Sequence, residues 1–184
     1  MRYPVAETAE KHTRILDQAA ALFRRRGFSG VSVGEIMRAT GLTHGPFYNH
    51  FASKEALVEE AIAHASERSL GDLDAACARP DGIRAYVQAY LSASHRDAPE
   101  AGCLMAALGP EIGREVGART AFTRHLKAAL ARLEKHFPWR AKKTARQESI
   151  RLVAAMVGAI VLARAVDDEA LSDEILREVR AGWE

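Results

Sequence analysis

The stretch 41–57 reads GLTHGPFYNHFASKEAL: a turn glycine, the start of a short aromatic helix, and then a second capped helix. Thr43 can cap a helix whose first turn is His44, Gly45 and Pro46. Proline is tolerated there because first-turn N–H groups have no intrahelical partner. Phe47 and Phe51, four residues apart, fall on one helical face and anchor the segment, while Tyr48, Asn49 and His44 point elsewhere and are offered outward. Gly45, lacking a side chain, permits close approach to a groove wall or to the preceding helix. Taken alone, the segment also fits a surface helix with two core phenylalanines.

Working outward, Ser32 with Glu35 three residues on forms a capping box, and Ile36 and Ala39 supply the inward face of a short helix. Gly41 then supplies the positive φ that a tight turn between two helices requires. Ahead of them Ile15, Ala19, Leu22 and Phe23 recur at helical spacing. That helix stops at Gly27, with Arg24, Arg25 and Arg26 in its last turn, either as a solvated end favourable to the helix dipole or as phosphate contacts. The spacing predicts three helices within about fifty residues, arranged as a helix-turn-helix unit.

Arg14-Ile15-Leu16, the run Ala19 to Phe23, Gly27-Phe28, Ser32-Val33, Gly34-Glu35-Ile36, Gly41-Leu42 and above all Phe47-Tyr48-Asn49-His50-Phe51 with Lys54-Glu55 resemble the TetR/AcrR family of transcriptional regulators, without a gap from Lys11 to Leu57. The resemblance implies that Ser32, Thr43, Tyr48, His50 and Lys54 contact DNA phosphates, and that Thr43, His44, Gly45, Pro46 and Asn49 face base edges. Those roles suit the chemistry, because hydroxyl, imidazole and ammonium groups donate to phosphate and an Asn amide pairs with adenine in a bidentate way. Pro46 departs from the family pattern: any phosphate contact made by a backbone N–H at this place in relatives is absent here. The recognition segment carries no Arg or Lys, which points to apolar, shape and water-mediated readout.

Charge is distributed to match. Through Lys54 eight Lys or Arg stand against four Asp or Glu, and beyond it eighteen stand against twenty, so the basic half carries the motif. Phosphate neutralisation and counterion release need that asymmetry. The first residues, MRYPVAETAEKHTR, lack the apolar stretch of a signal peptide and read as an arm leading into the first helix. Cys77 and Cys103 match no metal-ligand spacing and are too few for a disulfide framework, which fits a reducing cytoplasm.

From Ser53 as cap, an apolar-periodic helix runs through Leu57, Ala61 and Ala65 towards Arg79, where Pro80, Asp81 and Gly82 break it. Tyr86 and Tyr90 mark a helix that ends before the Asp97 to Gly102 stretch. Cys103 to Leu108 reads as a short helix closed by Gly109 and Pro110. A longer helix follows through Val116, Phe122, Leu126, Leu130 and Leu133 to His136. From Ile150 to Val166 the only charges are Arg151 and Arg164, so that helix is expected to be buried on all faces, as a core or interface element too short to span a bilayer. Small residues Ala155, Gly158, Ala159 and Ala163, with Leu171, Ile175 and Val179 on the last helix, suggest a helical-bundle dimer interface, and the resemblance implies the same pairing of the last two helices.

The fold expected is therefore all-α: a helix-turn-helix DNA-binding domain over 9–69, with its motif at about 32–51, followed by a helical effector-binding and dimerisation domain over 70–184. The function expected is that of a cytoplasmic, dimeric regulator, most simply a repressor. It would bind a palindromic operator in successive major grooves about 34–36 Å apart and be released by an unidentified small-molecule effector. Tyr86, Tyr90, Met105, Phe122 and Met156 are the expected pocket residues. Cys103, after Gly102 at a helix start where the dipole favours a thiolate, supports an alternative as an electrophile sensor on the same scaffold, although a small buried packing residue explains it as well. A helical interaction module that has lost DNA binding is the competing class. No His pair, glycine-rich phosphate loop or nucleophile elbow marks an enzyme, and no cofactor, metal or membrane partner is expected.

Overall fold

The computed structural model describes residues 5–43 and 45–183; residues 1–4, His44 and Glu184 lie outside them. Among the described residues the chain is all-α. Nine α-helices run α1 Val5–Arg26, α2 Val33–Ala39, α3 Lys54–Cys77, α4 Gly82–Tyr90, α5 Ala93–Asp97, α6 Leu104–Ile112, α7 Val116–His136, α8 Ala145–Ala165 and α9 Glu169–Ala181. Short 3-10 turns occupy Gly45–Asn49, Pro99–Ala101 and Lys142–Thr144.

Two apolar cores organise these helices. The first gathers Ile15, Ala19 and Phe23 of α1 with Ile36, Met37, Phe47, Phe51 and the first half of α3, from Leu57 to Ala65. The second gathers Leu73 and Ala129 to Leu133 with Leu152, Met156, Ile160 and Leu176. Neither is self-contained. Leu104, Leu108 and Ile112 of α6 and Ala118 and Ala121 of α7 reach into the first core, while Ala106 of α6 and Leu130 of α7 belong to the second. Three helices, α3, α6 and α7, thus contribute apolar side chains to both cores. A displacement in one core is felt in the other because close-packed interiors transmit strain.

Three expectations need correction. The helix starting at Cys103 does not close at Gly109 and Pro110: α6 continues through Pro110 to Ile112. A residue before proline is driven from helical geometry by contact with its Cβ, and Gly109 has none. The stretch read as an arm leading into the first helix is itself helical from Val5, where α1 begins, with Glu7 in the first turn and a Glu7–Lys11 ion pair at 2.7 Å supporting it. Finally, α8 is not buried on all faces. Leu152, Met156 and Ile160 point inward, but Ile150, Val161 and Leu162 remain exposed, as does Leu171 on α9.

Candidate nucleic-acid interface

The turn from α1 into α2 begins at Gly27, whose φ of +74° ends the first helix after Arg24, Arg25 and Arg26. The basic trio divides its work. Arg24 donates from Nε at 2.8 Å and from Nη2 to the Glu100 carbonyl, and Arg26 pairs with Glu35 at 3.1 Å. The capping box is complete: Glu35 N–H donates to the Ser32 hydroxyl at 3.3 Å, and the Glu35 carboxylate accepts from the Ser32 N–H at 2.8 Å. Those donors from Ser32, with Arg26, hold the Glu35 carboxyl down at about 2. The Ser32 hydroxyl also donates to Glu35, so a phosphate contact from it competes with the cap.

Gly41 follows α2 with φ +74°, and Leu42 N–H reaches back to the Met37 carbonyl at 2.9 Å. The next segment is helical but tight: Gly45–Asn49 is a 3-10 turn rather than an extended α-helix. Its aromatic anchor stands as the spacing predicts, with Phe47 and Phe51 buried and their ring centroids 5.6 Å apart. Tyr48 is 68% exposed, a high value for an aromatic side chain, with Thr43, Gly45 and Asn49 also exposed and Pro46 and His50 half-buried. His44 lies outside the described residues.

Lys54 opens α3 after the Ser53 cap, and its ammonium donates to the Phe28 carbonyl at 2.6 Å. An ammonium carries three donors, so one internal bond orients the group and leaves it capacity to donate elsewhere. His12 of α1 was not singled out in the sequence. Its ring stacks on Phe51 at 4.6 Å, lies 5.7 Å from the His50 ring and meets Glu60 at 3.0 Å. Burial, with His12 and Lys11 nearby, pushes the His50 imidazole below its ordinary range. Only tertiary packing joins His12 to this cluster, and no local motif announces it.

A second feature lies between the two cores. A cavity of about 630 Å³ is bounded by α1, α3, α4 and the 95–103 segment. Tyr86 and Tyr90 line it, and so does Cys103, the residue that precedes the first turn of α6. Met105, Phe122 and Met156 do not. Met105 and Met156 pack in the second core and Phe122 against the first, because these three spend their apolar surface on neighbouring helices.

A long first helix, the short α2 and a 3-10 turn that presents an aromatic-anchored polar segment after a glycine turn define a helix-turn-helix unit. Residues 15–61 match the family described as bacterial regulatory proteins, tetR family. Over this segment the chain is similar to the TetR family. It is 43% identical over 68 residues to the HTH-type transcriptional regulator AcrR of Shigella flexneri, covering 37% of this chain and 31% of that protein. It is 33% identical over 95 residues to the HTH-type transcriptional repressor KstR2 of Rhodococcus jostii strain RHA1, covering 50% and 47%. The chain thus matches 31% and 47% of the length of these two relatives. Its overall fold is that of the reduced form of NemR from E. coli, at a TM-score of 0.81, 22% identity and 95% coverage of both chains.

Proposed function

We propose that this protein is a dimeric, ligand-responsive transcriptional regulator, most simply a repressor, acting within the cytoplasm. It places Thr43, Gly45, Pro46 and Asn49 against base edges, and Ser32, Tyr48, His50 and Lys54 against phosphates. The observation that carries this reading is Tyr48: a tyrosine two-thirds exposed, one position from the fully buried Phe47 and three from the buried Phe51. Leaving so large an apolar ring in water is unfavourable, and a hydroxyl-tipped ring on a rigid anchor suits contact with a duplex backbone. The names of the AcrR and KstR2 relatives support a regulator, and the second a repressor. Selection from random duplexes tests it. Enrichment of a palindromic site is expected, and absence of any preference would leave a helical interaction module without DNA binding.

The domain division at 69/70 puts the boundary within α3, and the cavity lined by Tyr86 and Tyr90 is the proposed effector site. An effector releases DNA to the extent that it prefers one arrangement of the two cores, and DNA weakens its binding by the same factor. A second reading makes Cys103 the sensor, supported by its place on the cavity wall at the start of α6. With iodoacetamide, the sulfur would form a bond to carbon as iodide leaves and the thiol proton passes to solvent. Operator release by wild type but not by Cys103→Ser supports that reading, and equal behaviour of both proteins ends it.

A further inference from the structure

The cavity between the cores contains an arginine that no carboxylate pairs with among the described residues. Arg24 lies half-buried at its wall, and its guanidinium rests on a neutral group, the Glu100 carbonyl. Among the described residues it makes no ion pair. Arg68, from α3, lines the same cavity and is bound at 2.9 Å to Asp17, which also meets His64 at 2.9 Å. Burial, with Arg68 as the foremost charge acting on it, lowers the Arg24 guanidinium from its ordinary range. Two guanidiniums therefore share the cavity with three carboxylates, of which Asp17 is committed to Arg68 and His64, while neither Asp72 nor Glu100 pairs with Arg24 among the described residues. A half-buried charge that no counter-charge pairs with gains from a ligand that supplies one.

The rest of the wall is lined mostly by short side chains and two rings. Ala20, Ala21, Ala65, Ala89 and Ala101 line it with short side chains, and Tyr86 and Tyr90, four residues apart on α4, provide ring surface. The Tyr90 side chain is 8% exposed, and its hydroxyl has no hydrogen-bond partner among the described residues. The volume lies within the range of small-molecule sites. Arg24 retains three N–H donors after its two bonds to Glu100, enough for a forked contact with a planar anion.

Resting on the effector reading above, we infer that this cavity binds a small aromatic carboxylate, its ring held between the tyrosines and the alanine wall and its carboxylate held by Arg24 and Arg68. Such a ligand would bridge α1, which bears the Gly27 turn of the DNA-binding unit, to α4 of the second core. Asp72 and Glu100 also line the cavity and would favour a cation, so the test includes one.

The probes are 4-hydroxybenzoate, the neutral 4-hydroxybenzamide and the cationic 4-hydroxybenzylamine, titrated into the full chain carrying ring-labelled tyrosine. The chain has four tyrosines, so their signals are assigned by single Tyr→Phe variants. Saturable shifts at Tyr86 and Tyr90 are expected, with the carboxylate binding roughly ten- to a hundredfold tighter than the amide, the worth of one or two charge-assisted hydrogen bonds. Arg24→Met should abolish that preference, and Arg68→Gln, at an exposed position, should reduce it in a chain whose core is untouched. Equal binding of amide and carboxylate, tighter binding of the amine, or shifts confined to Tyr3 and Tyr48 would overturn the inference. Operator release is scored separately. Carboxylate binding without release upholds the site and removes its effector role, whereas release by a compound that leaves Tyr86 and Tyr90 unmoved, with the carboxylate failing to bind, overturns the site and leaves the regulator standing.

Discussion

Glu111, on α6, accepts the backbone N–H of Phe28 at 2.7 Å across 83 positions of sequence. The carbonyl of the same Phe28 accepts the Lys54 ammonium at 2.6 Å. One residue in the α1–α2 turn is thus gripped by the proposed effector domain through its N–H and by the DNA-binding unit through its carbonyl. The adjacent Gly27 explains the close approach, since a Cβ there would stand 2.3 Å from Glu111 Oε1.

Glu111→Ala should therefore lower stability by about 1–3 kcal/mol, the cost of leaving a partly buried amide without its charged acceptor. Gly27→Ala should cost a similar about 1–2 kcal/mol through its left-handed backbone, and it also displaces the Glu111 carboxylate. Because both changes break the same bond, their effects in the double variant should sum to less than the separate losses. Urea denaturation of the four proteins measures this, and strict additivity would show that Gly27 and Glu111 act independently.

His125, on α7, is buried with neither ring nitrogen hydrogen-bonded among the described residues. Burial, and after it Arg132, holds its imidazole below the ordinary value of 6.5. A histidine depressed in the folded state binds fewer protons than in the unfolded chain, so stability is fully present above pH 6.5 and falls as pH drops towards the folded value. His125→Leu should raise stability by about 1–3 kcal/mol at pH 7.5, since it removes unsatisfied polar atoms while keeping apolar volume. Its advantage should widen at pH 5.5. His50 and His95 are depressed in the same direction and keep part of the acid sensitivity in that variant. Loss of stability on substitution at pH 7.5 would show that the imidazole is a required packing element.

Much of the first domain was legible because its signals are local. The Ser32–Glu35 box, the Gly41 turn and the Phe47–Phe51 pair each lie within four residues, and each stands as the spacing predicts. The second half was harder. Tyr86 and Tyr90 line the cavity while Met105, Phe122 and Met156 do not, because helical periodicity says that a residue faces inward and not which of two cores receives it. Arg24 shows the same limit: a basic last turn suggested solvent or phosphate, whereas its partner is a carbonyl 76 positions away. Pro110 inside α6 required knowing that a preceding glycine relieves the usual clash.

On DNA, Tyr48→Phe keeps the ring and removes the hydroxyl, so it should weaken binding to every sequence alike. Asn49→Ala should instead relax preference at one base pair, by about 1–3 kcal/mol. Lys54→Ala should weaken all sequences and reduce the salt slope by about one, and it should also destabilise the fold by freeing the Phe28 carbonyl. Affinities measured at several salt concentrations, alongside melting curves, separate these. If Asn49→Ala changes affinity equally at every position of the site, Asn49 is a backbone contact and the base assignment is wrong.

The dimer prediction rests on which face of α8 stays open. Ala159 is 3% exposed and packs in the second core, so an arginine there would break the fold itself. Leu162 is 56% exposed, with Val161, Ile150 and Leu171 exposed as well on α8 and α9. Gly158 is half-buried, and a Cβ built there would meet nothing within 4 Å. Open apolar residues beside a glycine that admits a close neighbour are what a symmetric helix pair would cover. Leu162→Arg should leave the monomer folded, with thermal stability close to that of an undimerised chain, while placing like charges opposite each other at the two-fold axis. Sedimentation should show dimer for wild type and monomer for the variant at micromolar concentration, and operator affinity should fall together with dimerisation. A variant that remains dimeric and binds DNA unchanged would move the interface to another face of the molecule.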